Sequence, residues 1–91
     1  MNNYYIRESE SYFNWEHSSY YFIDKLTEEY IIKIKYTEAG SYWSASFYDD
    51  NIYLIYCKCN FNQENNFLNK TEAICHFEKF INYYEKHLVF L

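Results

Sequence analysis

From Tyr30 to Tyr36 apolar and polar positions alternate. Tyr30, Ile32, Ile34 and Tyr36 fall on one side and Lys33 and Lys35 on the other, the period of a half-buried strand. Glu38-Ala39-Gly40-Ser41 follows as a turn, its glycine free to take positive φ. Alternation resumes from Tyr42 to Tyr48, with Trp43, Ala45 and Phe47 on one face and Tyr42, Ser44, Ser46 and Tyr48 on the other. Asp49-Asp50-Asn51 reads as the next turn, built from residues that tolerate tight backbone. Ile52 to Phe61 is denser in apolar residues and reads as a third, central strand. Asn60 to Asn69 is a polar connection. A helix then starts at Asn69, a plausible N-cap with Glu72 three residues on. Its apolar stripe is Ile74, Phe77, Ile81, Tyr84 and Leu88, at spacings of three and four, with Glu78, Lys79, Glu85 and Lys86 left to water.

The first thirty residues carry a weaker pattern. Tyr4 to Glu8 and Tyr20 to Ile23 read as strands, because Tyr and Phe crowd there. A short helix from Tyr20 to Tyr30 is the alternative, since Ile23, Leu26 and Tyr30 keep helical spacing. The predicted fold is α+β: an antiparallel β-meander of about four or five strands with one C-terminal α-helix packed on one face. Residues 1–91 form a single domain.

Composition changes the picture in one respect. Tyr 13, Phe 8 and Trp 2 make a quarter of the chain aromatic, beside one glycine and no proline. Each ring covers roughly 150–250 Å², more in total than one small core can hide, so some are expected to face outward, as in protein interfaces. A codon bias toward A and T would raise Tyr, Asn, Ile and Lys together. Here Lys is 7 against Tyr 13, and Asp+Glu is 13 against Lys+Arg 8. The net charge of −5 is concentrated in residues 1–32, where six acids face two bases. Such a chain repels phosphates, which excludes direct nucleic-acid binding and favours a basic protein partner.

Cys57, Cys59 and Cys75 are an odd number, and MNNYYIRESE has neither the basic nor the apolar region of a leader. No apolar run approaches the ~20 residues of a membrane span. A cytoplasmic protein with free thiols is expected, without a membrane partner. On a strand Cys57 and Cys59 would share a face, and Cys75 and His76 could complete a zinc set, but neighbours on a helix point about 100° apart. Buried thiols are the simpler reading. His17, His76 and His87 have carboxylates nearby but no nucleophile motif or phosphate loop. No catalytic, metal-binding or cofactor-binding residues are predicted; the chain is expected not to be an enzyme.

The predicted partner-binding residues are Tyr12, Trp15, Glu16, Tyr20, Asp24, Glu28 and Glu29, where aromatics interleave with the acidic excess; Tyr4, Tyr5 and Tyr21 belong to the same outward-facing group. The apolar end Leu88-Val89-Phe90-Leu91 would tuck under the sheet or form a homodimer contact. The residues from Glu8 to Glu29 with their aromatics, and the helix after Asn69-Lys70-Thr71-Glu72, resemble the small anti-defence proteins of phages and mobile elements, of which anti-CRISPR proteins are the best-known group. That resemblance implies inhibition by binding, an acidic face filling the basic nucleic-acid channel of a host effector. The chain is also similar to toxin immunity proteins, which plug a basic active site in the same way. A small subunit or adaptor of a larger assembly is the third class.

Overall fold

A computed structural model describes residues 3–9, 17–63 and 66–87 of the chain. Strands β1 (Tyr4–Ser9), β2 (Ser19–Asp24), β3 (Tyr30–Thr37) and β4 (Tyr42–Phe47) form one antiparallel sheet in the order β1-β2-β3-β4. Helices α1 (Asp50–Lys58) and α2 (Lys70–His87) follow, separated by a single 3-10 turn at Phe61–Gln63. The fold is the expected α+β meander with a C-terminal helix, and it contains one helix more than the sequence pattern suggested.

The additional helix replaces the third strand expected over 52–61. Asp49 is extended (φ −123°, ψ 120°), and its carboxylate accepts from the backbone N–H of Asn51 (2.8 Å) and Ile52 (3.4 Å). The Asp-Asp-Asn run is therefore a helix start, because the side chains that close turns also cap helices. Ile52, Ile55 and Tyr56 then fall on one helical face and pack against the core. The run is short and apolar enough to satisfy either period. Asn60, at φ 64°, ends α1 with its N–H on the carbonyl of Cys57 at 3.0 Å.

One face of the sheet carries Phe22, Ile32, Ile34 and Trp43, and α2 covers it with Ala73, Phe77, Phe80 and Ile81, all buried. Phe80 belongs to that stripe although the predicted spacing omitted it. Ile74 and Tyr84 are half-buried at its margins, and Leu88 lies outside the described residues. Asn69 caps the helix as expected, its side-chain oxygen accepting from Glu72 N–H at 2.9 Å. Glu78 is half-buried and accepts from the Tyr4 hydroxyl at 3.3 Å. Tyr56 sits at the centre of the ring packing, 4.9 Å from Phe47, 5.5 Å from Phe77 and 5.0 Å from Phe80 between centroids.

Two backbone features correct the strand reading. Phe22 pairs with Ile32 but Ile23 pairs with Tyr30, so Ile31 is an extra residue in β3. Such a bulge sends two neighbouring side chains to one side. Ile31 and Ile32 both pack on the core, and Tyr30 leaves the face it was expected to share with Ile32. Its ring instead lies 5.1 Å from Tyr21 and 5.6 Å from Tyr48. In the β3–β4 turn the positive φ belongs to Ser41 (54°), not to Gly40. Gly40 is needed because the Tyr42 ring lies where its Cβ would be.

Candidate protein-binding face

The β2–β3 turn holds three of the predicted residues in a fixed arrangement. The Asp24 carboxylate accepts from the N–H groups of Leu26 (2.8 Å) and Thr27 (3.0 Å), and the Glu29 N–H donates to the Thr27 hydroxyl (3.2 Å). Backbone bonds between Asp24 and Glu29, and between Glu28 and Asp24, are both 2.9 Å. Glu28 sits at φ 61°, and its carboxylate accepts from the Tyr5 hydroxyl at 2.6 Å. That bond raises the Tyr5 pKa. Among the described residues the Glu29 carboxylate takes no partner. Leu26, at the tip, is 88 % exposed. Lys25 is the only base of the turn.

Tyr20 stands apart from this group. Its ring is 8 % exposed and belongs to the core. Its hydroxyl accepts from Lys70 Nζ at 2.9 Å and donates to Glu8 Oε2 at 3.2 Å, a relay from α2 to β1. The Tyr20 bond raises the Lys70 pKa. Tyr20 and Asp24 are four residues apart on β2, about 13 Å at strand rise, so the two ends of the predicted site are separate. Tyr4 is also buried, because β1 turns it toward α2. Tyr12, Trp15 and Glu16 lie outside the described residues.

Among the described residues the rings that face outward are Tyr30, Tyr48, Tyr53 and Tyr83. Two of these, Tyr30 and Tyr48, meet the acidic turn, because the start of β3 and the end of β4 share that end of the sheet. The Tyr48 N–H donates to the Ile31 carbonyl at 3.0 Å. Arg7 lies on the sheet surface opposite the helices, its guanidinium 5.7 Å from the Tyr21 ring and 5.2 Å from the Tyr30 ring, and it hydrogen-bonds the Tyr30 hydroxyl. Beneath this layer Ile23 is 1 % exposed although it stands outside the main core cluster. Its strand partners are Tyr5 and Tyr30.

The same end of the molecule holds a groove of about 300 Å³ between the turn, the start of α1 and the end of α2. The groove is lined by the apolar residues Ile31, Ile52 and Ile81 and by the acidic residues Asp24, Glu29, Asp49 and Glu85. No Lys, Arg or His is among its described lining. Asp49 and Glu85 were invisible as site residues in the sequence. One reads as turn chemistry and the other as a solvated helix position, and only the packing of α1 beside α2 brings them to Glu29.

Cys57, Cys59 and Cys75 are free but not buried as expected: Cys57 and Cys59 are half-buried and Cys75 is exposed. No three His, Cys, Asp or Glu side chains among the described residues could hold a metal ion. Two residues apart at the end of a helix, Cys57 and Cys59 do not share the face that a strand would give them. His76 Nε2 is 2.9 Å from the Tyr56 hydroxyl, and His17 stacks on Tyr36 at 3.9 Å. His87 lies 4.6 Å from the Tyr83 ring.

Compared with models of protein families, with curated proteins and with solved structures, the chain matches none. Its class is therefore an architectural one: a four-stranded antiparallel meander carrying two helices, with an acidic, tyrosine-bearing end. No helix among the described residues is long and apolar enough to cross a membrane.

Proposed function

We propose that this protein is a non-catalytic inhibitor of the anti-CRISPR type, binding a basic, nucleic-acid-processing effector of bacterial defence in the cytoplasm. The observation that carries the reading is the gathering of carboxylates at one end of the molecule. Asp24, Glu28 and Glu29 come from the first third of the chain, Asp49 and Asp50 from the start of α1, and Glu85 from the end of α2. Tyr30 and Tyr48 stand exposed beside them. Fixed carboxylates can replace phosphates against a basic channel, and exposed tyrosines add rigid contact area with a polar tip. The charge steers the encounter, and the rings supply the affinity.

The test is capture from a lysate of the native host with the wild-type chain and with the double reversal Glu28→Lys/Glu29→Lys. The reading expects one basic nucleic-acid-binding protein to be retained by the wild type and lost with the variant. Reconstituted with one equivalent of the chain, that protein should lose its guide or target. Undisplaced nucleic acid, or equal retention by the variant, contradicts the reading. Capture of a toxin instead would assign the chain to immunity.

A further inference from the structure

On the docking reading above, we propose that the groove between the β2–β3 turn, α1 and α2 receives one arginine side chain of the partner. The groove is small: ligand pockets span roughly 300–1,000 Å³, and this one, at about 300 Å³, stands at the bottom of that range. It suits a single long side chain better than a cofactor or a helix. Ile31, Ile52 and Ile81 offer apolar surface to a side-chain stem. The four carboxylates, with no base among the described lining, require the head of that side chain to be cationic.

The donors already in place divide the carboxylates into two kinds. Asp24 and Asp49 accept from backbone N–H groups and are held in position by them. Among the described residues Glu29 has no partner and Glu85 accepts only a long 3.5 Å bond, from the Asn3 N–H. Glu29 and Glu85 are therefore the groups available to a guest. Tyr84 also lines the groove, while the Tyr30 ring is turned to the opposite surface of the sheet. A planar guanidinium stacks on such a ring and forks onto a carboxylate, which an ammonium cannot do. On the sheet surface Tyr30 is already paired with the guanidinium of Arg7.

The probe is the capped tripeptide acetyl-Gly-Arg-Gly-amide, with its lysine and citrulline counterparts, titrated into the full isotope-labelled chain. The expected result is chemical-shift change concentrated on the methyls of Ile31, Ile52 and Ile81, stronger for arginine than for lysine and absent for citrulline. Glu29→Gln/Glu85→Gln should weaken the arginine response by at least about tenfold, the loss expected when charge-assisted bonds are removed, while the rest of the spectrum shows an unchanged fold. Equal response to arginine and lysine, or shifts spread over the whole acidic end, would reflect charge alone and overturn the proposal. Concentration-dependent shifts of the same methyls without peptide would assign the groove to a second copy and overturn it as well. Glu28 is not in the groove. A captured partner lost with Glu28→Lys but kept by Glu29→Gln/Glu85→Gln would overturn the arginine pocket and leave the docking reading standing.

Discussion

The Tyr56 hydroxyl lies 2.9 Å from His76 Nε2 and joins α1 to α2 across the aromatic core. The Tyr56 ring itself is 3 % exposed and packs on Phe47, Phe61, Phe77 and Phe80. Packing and polar contributions can be separated here. Tyr56→Phe keeps the ring and should cost about 1 kcal/mol, the net value of one hydrogen bond. Tyr56→Ala empties the centre of the core and should cost about 3–5 kcal/mol, a large share of a small domain's stability. Urea titrations with an unchanged m-value read both. A Tyr56→Ala loss no larger than that of Tyr56→Phe would remove Tyr56 from the centre of the fold.

Tyr4 gives the chain an alkaline limit. Burial, with the charge and hydrogen bond of Glu78, pushes its pKa from 10.0 up to about 12. The folded state holds this proton more tightly than the unfolded state. The stability it contributes is therefore complete below about pH 10 and is lost as pH rises toward 12. Tyr4→Phe has no such proton. The urea midpoints of wild type and Tyr4→Phe should converge, then cross, over that window. A gap that stays constant from pH 8 to above pH 11 would place Tyr4 in contact with water.

Asp49 caps α1 and also lines the groove, and two substitutions separate those roles. Asp49→Ala should cost about 0.5–2 kcal/mol. A loss of 1 kcal/mol in a domain of this size lowers Tm by about 4–8 °C. Asp49→Asn keeps a good cap and should melt close to the wild type, although it removes the charge. Equal melting of the alanine variant and the wild type would show that the start of α1 does not depend on this side chain.

The β3–β4 turn reverses the usual assignment of glycine. Ser41→Gly should stabilise the fold by up to about 1 kcal/mol, because a left-handed backbone strains serine and not glycine. Gly40→Ala should destabilise it, because the Tyr42 ring must move to admit a Cβ. Thermal melts of the two variants should shift in opposite directions, and matching shifts would contradict this turn geometry.

The sheet was legible in the sequence because alternation is a local signal. Ile32, Ile34, Trp43 and Phe47 each take the side that period two assigns, and Asn69 starts its helix where a cap was expected. The errors came from signals with two meanings. Asp49-Asp50-Asn51 can close a turn or begin a helix, and the apolar run after it fits either element. The Ile31 bulge adds one residue to β3 without any mark in the sequence, so Tyr30 moved from a predicted core face to the sheet surface. The candidate face was half legible for a different reason. Asp24, Glu28 and Glu29 are neighbours in one turn and appear as a charge run. Glu85 is more than fifty residues further along and joins them only through tertiary packing. Tyr20 shares the composition of that segment, but its position on β2 turns its ring inward.

The central claim is that the acidic end of the sheet meets a basic partner, and association kinetics test it most directly. The captured partner is immobilised, and its association rate with the wild type and with Glu28→Lys/Glu29→Lys is measured from low to high salt. Steered association can exceed the unsteered rate by about ten- to a thousandfold at low ionic strength, and salt screens that advantage. The wild type should bind faster by at least about tenfold at low salt, with the two rates converging as salt rises. Identical rates at every ionic strength would mean that the partner approaches another surface.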